Sequence, residues 1–171
     1  MIEKEEKQWI AVYTKPRAES SAAAKLTSLG LTCYFPQQQR VRQWSDRKKT
    51  LQVPLIPSYI FVHIELRKYR RVYESDAVVK VITFNNRAAI VRPSEIDLLR
   101  LACGDLEVTL ESNISHRIGE KVEISEGVFA GYSGIVVGKR ESSKVAIQIE
   151  ELGLSVVVTV PRLQVRLKEV V

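Results

Sequence analysis

A chain of 171 residues with 45% hydrophobic content can bury one or two modest cores, which excludes a disordered polymer. No apolar run approaches the roughly 20 residues that span a bilayer, and no apolar stretch follows the charged opening MIEKEEKQ. A soluble cytoplasmic protein with neither membrane span nor secretory leader is therefore expected. The net charge of +6 is unevenly held: residues 1–103 carry 18 Lys and Arg against 10 Asp and Glu (+8), residues 104–171 carry 8 against 10 (−2). A basic half suits an anionic partner such as nucleic acid, because neutralised phosphates release counterions. Charge alone also fits a merely basic soluble surface. Cys33 and Cys103 sit in apolar surroundings without ligand spacing and read as buried, reduced thiols.

The chain opens with a strand, WIAVY (Trp9 to Tyr13). Pro16 then suits the first turn of a helix whose apolar positions Ala18, Ala22, Leu26 and Leu29 are spaced 4, 4, 3, and Gly30 ends it. Strands follow at Thr32–Phe35 and Gln38–Trp44, the second pairing with Thr50–Val53 across the turn SDRKK. Tyr59–Ile64 is the next strand. Leu66, Tyr69 and Tyr73 mark the inner side of a short second helix, and Val78–Phe84 is extended. Ser94 with Asp97 three residues on resembles a capping box that opens a third helix, with Ile96, Leu99 and Cys103 inward. This predicts an antiparallel α+β domain over 1–103 and a linker over 104–116. Six of the eight glycines then fall after His116, among short Val/Ile-rich runs. Strands near Lys121–Ser125, Ser133–Lys139, Lys144–Glu150, Ser155–Val160 and Leu163–Leu167 predict a small five-stranded β-barrel over 117–171.

The densest apolar run, VPLIPSYIFV (Val53 to Val62), holds two prolines where a buried strand would want neither. In Tyr59–Ile64, Ile60, Val62 and Ile64 share one face and Tyr59, Phe61 and His63 the other. The pattern fits a core strand with a proline-rich entrance, or a preorganised apolar patch for a protein partner formed by Ile56, Pro57 and Tyr59. The cations form three clusters: Lys15 and Arg17; Arg40, Arg42, Arg47, Lys48 and Lys49; and Arg67, Lys68, Arg70 and Arg71. Such groups can contact phosphates without reading bases. Trp44 either packs or stacks on a base. Catalysis finds no support. His63 and His116 are isolated, and no GxSxG, GxxxxGK[ST] or GxGxxG occurs. No enzyme activity, metal or cofactor is expected.

Three stretches carry a family likeness. GEKVEISEGVFAGYSGIVVG (Gly119 to Gly138) resembles a KOW motif, while WIAVYTKPRAES (Trp9 to Ser20) and PLIPSYIFV (Pro54 to Val62) resemble the two signatures of the N-terminal domain of NusG transcription factors. They stand in family order and the likeness covers nearly the whole chain. It implies a factor that rides elongating RNA polymerase: a NusG-type N-terminal domain with flanking helices, then a KOW (SH3-like) barrel. By that resemblance Tyr13, Leu55, Ile56, Pro57, Tyr59 and Phe61 would dock onto the clamp helices of the largest polymerase subunit and so suppress pausing or termination. Lys15, Arg17, Arg40, Arg42, Arg47, Lys48 and Lys49 would face upstream or non-template DNA. Arg70 and Arg71 stand where RfaH-type relatives carry a polar motif that touches the opposite polymerase jaw, and nucleic acid suits two arginines equally well. Ile56 replaces a usual Phe, and Ser58 a usual Gly or Asn.

The T-K-P-R form is similar to specialised antiterminators of the UpxY type, which serve capsular polysaccharide operons. In the family as a whole the resemblance implies that the C-terminal barrel recruits a partner such as termination factor Rho or a small ribosomal subunit protein. One specialised relative stores that domain as a helical hairpin. Here the β-branched run Val156–Val160 and the glycines at 131, 134 and 138 predict a constitutive β-structure. The alternative is a stand-alone RNA- or DNA-binding module, since KOW barrels also occur in ribosomal proteins.

Overall fold

The computed structural model describes residues 6–43, 46–104, 109–112, 119–139 and 142–168. Trp44 and His116, singled out in the sequence, lie outside them. The chain divides into two compact units between Ile96 and Asp97, inside a helix. In the first, chain order gives β1 (Gln8–Thr14), α1 (Glu19–Ser28), β2 (Thr32–Tyr34), β3 (Gln37–Gln43), β4 (Lys48–Pro54), β5 (Tyr59–Ile64), a 3-10 helix (Leu66–Glu74), β6 (Val78–Val81), β7 (Thr83–Phe84), β8 (Arg87–Ala88) and β9 (Ile90–Val91). The helix α2 (Pro93–Gly104) spans the division.

An antiparallel sheet in the order β2-β5-β1-β6, with β9 also pairing β1, organises this unit. Because strand side chains alternate, Ile10 and Val12 on β1 stand beside Val62 and Ile60 on β5 and build one core face. Ala22 and Leu26 of α1, Val72 of the 3-10 helix, and Val78 and Val81 of β6 complete that core. Helix α1 ends as Gly30 predicts: at φ +81° that residue turns left-handed, Gly30 N–H donates to Thr27 O, and Leu31 N–H donates to Leu26 O. These two bonds make a Schellman cap, closed by the buried side chains of Leu26 and Leu31.

Three helix readings need correction. Pro16 precedes α1 rather than opening it, because Ala18 N–H donates to Lys15 O and Arg17 has φ +61°. Pro at the second position and positive φ at the third define a type II turn. The second helix is 3-10, so its inner side repeats every three residues: Leu66, Tyr69 and Val72 pack inward and Tyr73 is exposed. At α2 the reciprocal capping contact is made by Glu95, whose carboxylate accepts from Arg92 N–H at 2.8 Å with Pro93 between them, not by Asp97. The inward residues there are Ile96, Leu98, Leu99 and Ala102, while Cys103 is only half-buried.

In the second unit β10 (Thr109–Ser112), β11 (Lys121–Ile124), β12 (Ser133–Lys139), β13 (Ser142–Ile149), β14 (Leu154–Pro161) and β15 (Val165–Leu167) form one antiparallel sheet in the order β10-β14-β13-β12-β11-β15. The five strands read from the sequence are there. A sixth, β10, pairs with β14 from within the segment read as linker. Val145, Ala146 and Ile147, and likewise Val156, Val157 and Val158, are consecutive and buried, so the central strands are covered on both faces. Gly134 lies against β13, where an added Cβ would overlap the Ala146 carbonyl oxygen and approach Val145 Cγ1 to 2.7 Å. Buried Phe129 plugs the turn between β11 and β12, which closes by Gly131 N–H to Ile124 O and Ile124 N–H to Tyr132 O. Burial, then the nearby Asp97 carboxylate, push the Tyr132 phenol up. No helix among the described residues is long and apolar enough to cross a membrane.

Candidate functional site

The second face of the N-terminal sheet is aromatic. Register sets Trp9 beside His63, Ala11 beside Phe61 and Tyr13 beside Tyr59, with Tyr34 of β2 next to Phe61 and Lys80 of β6 next to Tyr13. Trp9 and His63 stack with centroids 4.9 Å apart. Tyr13 and Tyr59 meet edge to face at 5.5 Å, the arrangement aromatic quadrupoles favour. Phe61 and Tyr34 lie tilted at 6.3 Å. Lys80 Nζ sits 6.0 Å from the Tyr13 ring centroid, at the limit of a cation–π contact. Burial, then the neighbouring Tyr13, raise the Tyr59 phenol above its ordinary value.

The six residues expected to dock are not equivalent. Phe61 is 0%, Ile56 5% and Leu55 9% exposed, so these three are core and present no surface. Leu55 is drawn in by its N–H bond to Pro36 O, and Phe61 occupies the middle of the sheet face beside Ala11. Pro57 is exposed, and Tyr13 and Tyr59 are half-exposed. These three form the open end of the face.

A turn between β4 and β5 sets that end. Pro57 and Ser58, the latter at φ +64°, with Tyr59 N–H directed at Ile56 O, form a second type II turn. The Gly or Asn usual at Ser58 suits that left-handed position better than Ser does. Two contacts hold it: Thr14 N–H donates to Ser58 O at 2.8 Å, and Ser58 N–H donates to Glu19 Oε1 at 2.7 Å. Glu19, 4% exposed, was missed by sequence reasoning. Its one signal is an acid at the start of an apolar-periodic helix, which is commonplace.

The cations divide as well. Strands β3 and β4 form a separate hairpin whose register puts Arg42 opposite Lys49 and Arg40 opposite Leu51, so Arg40, Arg42 and Lys49 share one side and Lys48 points to the other. All four, with Arg47, are exposed. Like charges directly opposite repel, and an anion would relieve them. Lys15 and Arg17 are exposed beside the first type II turn, and Arg70 is exposed on the 3-10 helix. Arg71 is removed from the set of free cations: its guanidinium donates to Leu29 O at 3.0 Å and to Glu74 at 3.2 Å. Arg67 and Lys68 are engaged with Glu65. Among the described residues no group of His, Cys, Asp and Glu could hold a metal ion.

A half-open aromatic face and a cationic hairpin thus lie on an antiparallel α+β unit, and the six strands β10 to β15 follow it. The family model described as "Transcription termination factor nusG" matches residues 7–100. The chain belongs to the NusG family, transcription factors without catalytic activity. Among solved structures, Thermotoga maritima NusG, from work on domain interaction in that protein, is similar in fold over 95% of this chain and 98% of that one, at 22% identity and a TM-score of 0.56. The MjSpt4:Spt5 complex in conformation B aligns over 93% of this chain and 95% of that one, at 18% identity and a TM-score of 0.34. No curated protein matches the chain.

Proposed function

We propose that this protein is a transcription elongation and antitermination factor that binds RNA polymerase through the open end of its aromatic face, with residues 1–103 as the polymerase-binding domain. The observation that carries the reading is the Tyr13–Tyr59 pair, half-exposed beside exposed Pro57 at the end of a rigid sheet. Rigid aromatics beside proline bind at low entropic cost. The clamp helices of the largest subunit are the partner the family implies. Arg40, Arg42 and Lys49 then meet upstream or non-template DNA, with Lys15, Arg17, Arg47, Lys48 and Arg70 as outlying phosphate contacts. Residues 117–171 are a KOW barrel that recruits a protein partner, Rho or a ribosomal protein. The T-K-P-R stretch supports a specialised, operon-directed role of the capsular polysaccharide type.

The test is elongation by purified polymerase on a pause-containing template. The protein shortens the pause, and Tyr59→Ala, folded, does not. Equal effects of the two proteins would end the proposal. The hairpin favours a second reading, a free nucleic-acid binder. It predicts affinity for DNA or RNA without polymerase, weakened by salt and by Arg42→Ala.

A further inference from the structure

The turn that presents Pro57 and Tyr59 is held from outside its own strand. Ser58 is 7% exposed and left-handed, a region disfavoured for a residue with a Cβ. Its carbonyl is satisfied by β1 through Thr14 N–H and its amide by the Glu19 carboxylate, 39 residues away in sequence. A carboxylate as buried as Glu19 needs donors to offset lost hydration. It also sits in the first turn of α1, where the helix dipole favours negative charge. Helix α1 is itself fixed by its Schellman cap and by Ala22 and Leu26 in the core. Beyond Tyr59 the chain needs no such help, because six register pairs with β1 hold β5. Loss of the Glu19 contact therefore loosens the turn, which keeps its bond from Thr14 N–H, and leaves the sheet in place.

We propose that Glu19 is a positioning residue for the docking face: by accepting from Ser58 N–H it holds the Pro57–Ser58 turn in the left-handed form that sets Pro57 and the Tyr59 ring for the partner. This rests on the docking reading above. Three variants separate the role from general stability. Glu19→Gln keeps a side-chain carbonyl that can accept the same bond. Glu19→Ala removes it. Glu19→Ala combined with Ser58→Gly removes it but makes the left-handed turn intrinsically acceptable.

The experiment measures binding of each full-length protein to core RNA polymerase, alongside Tyr59→Ala, with the Ser58 and Tyr59 amide shifts recorded in the free proteins. Glu19→Gln is expected to bind within about threefold of wild type, Glu19→Ala about tenfold more weakly, and the double variant to recover most of that loss. The Ser58 and Tyr59 amide shifts should move in Glu19→Ala while resonances of β1 before Tyr13 and of β5 from Ile60 onward stay. Because glycine at a left-handed position also stabilises the unit as a whole, rescue by Ser58→Gly supports positioning when urea titration shows Glu19→Ala fully folded under the binding conditions. Two results overturn the role alone: Tyr59→Ala loses binding while Glu19→Ala retains it, or the double variant binds no better than Glu19→Ala. Equal binding by wild type and Tyr59→Ala overturns the docking reading and the positioning role with it.

Discussion

Replacing Phe61 tests whether this residue is core or contact. Its side chain is 0% exposed, flanked by Ala11, also 0%, and by the tilted ring of Tyr34. Truncating a buried Phe to Ala costs about 3–5 kcal/mol, the transfer term plus the cavity left behind. With a urea dependence of about 1.5 kcal/mol per M, the unfolding midpoint should fall by roughly 2 to 3 M. Both tryptophans, Trp9 and Trp44, precede the division at Ile96, so tryptophan fluorescence reports on the first unit alone. Phe61→Leu keeps most of the volume and should lose about 1 kcal/mol, which keeps the test readable if the alanine variant is unfolded. Tyr59→Ala, half-exposed, should shift the midpoint far less and act on polymerase affinity instead. A Phe61→Ala midpoint within about 0.5 M of wild type would refute the assignment of Phe61 to the core.

Further outcomes follow from single features. Gly30→Ala meets no atom within 4 Å but must adopt φ +81°, so it should cost about 1 kcal/mol in urea unfolding, and no loss would remove the cap argument. Gly134→Ala should cost more than Gly30→Ala because the obstacle is β13 backbone, and circular dichroism melting of the second unit would register it. Hydrogen bonds from Lys68, then from Arg67, hold the Glu65 carboxyl below its usual 4.5. Its folded value being depressed, the stabilisation is full above that usual value and fades as pH falls through the folded one. A carbon-detected titration of Glu65 should show the low midpoint, rising toward 4.5 in Lys68→Ala, and a wild-type midpoint at 4.5 or above contradicts it. Arg42→Ala or Lys49→Ala should lower the salt slope of DNA binding by about one, whereas Arg71→Ala, tied to Leu29 O, should lower stability and leave that slope alone.

What could be read in the sequence was whatever rests on short-range pattern. Ala22 and Leu26 at helical spacing with Gly30 behind them gave α1 and its end, and the alternation through Tyr59–Ile64 gave β5 and its two faces. Signals shared by two structures misled. Pro16 suits both a helix first turn and the second position of a type II turn, and the positive φ at Arg17 that decides between them leaves no mark when the residue is not glycine. Leu66 and Tyr69 fit both a 3.6 and a 3.0 repeat, and only the choice between Val72 and Tyr73 separates the two. Long-range partners were the least visible. Ser58 was recognised as unusual, but the carboxylate that steadies it comes from another element. The β10 segment read as linker because its pairing partner, β14, lies more than 40 residues on. In the docking stretch, apolar character marked Leu55, Ile56 and Phe61 as strongly as Tyr59, and only the tertiary fold sorts those that are buried from those that are presented.

The docking role of this protein requires the Tyr13–Tyr59 end of the aromatic face to meet polymerase. Titrating the isotopically labelled protein with an isolated clamp-helix fragment of the largest polymerase subunit, and following backbone amides, addresses this directly. The largest shifts are predicted at Tyr13, Ser58, Tyr59 and Lys80, with the tip of the β3–β4 hairpin unchanged. Shifts confined to the hairpin cations Arg42, Lys48 and Lys49, or none in the first unit at saturating fragment, would contradict it.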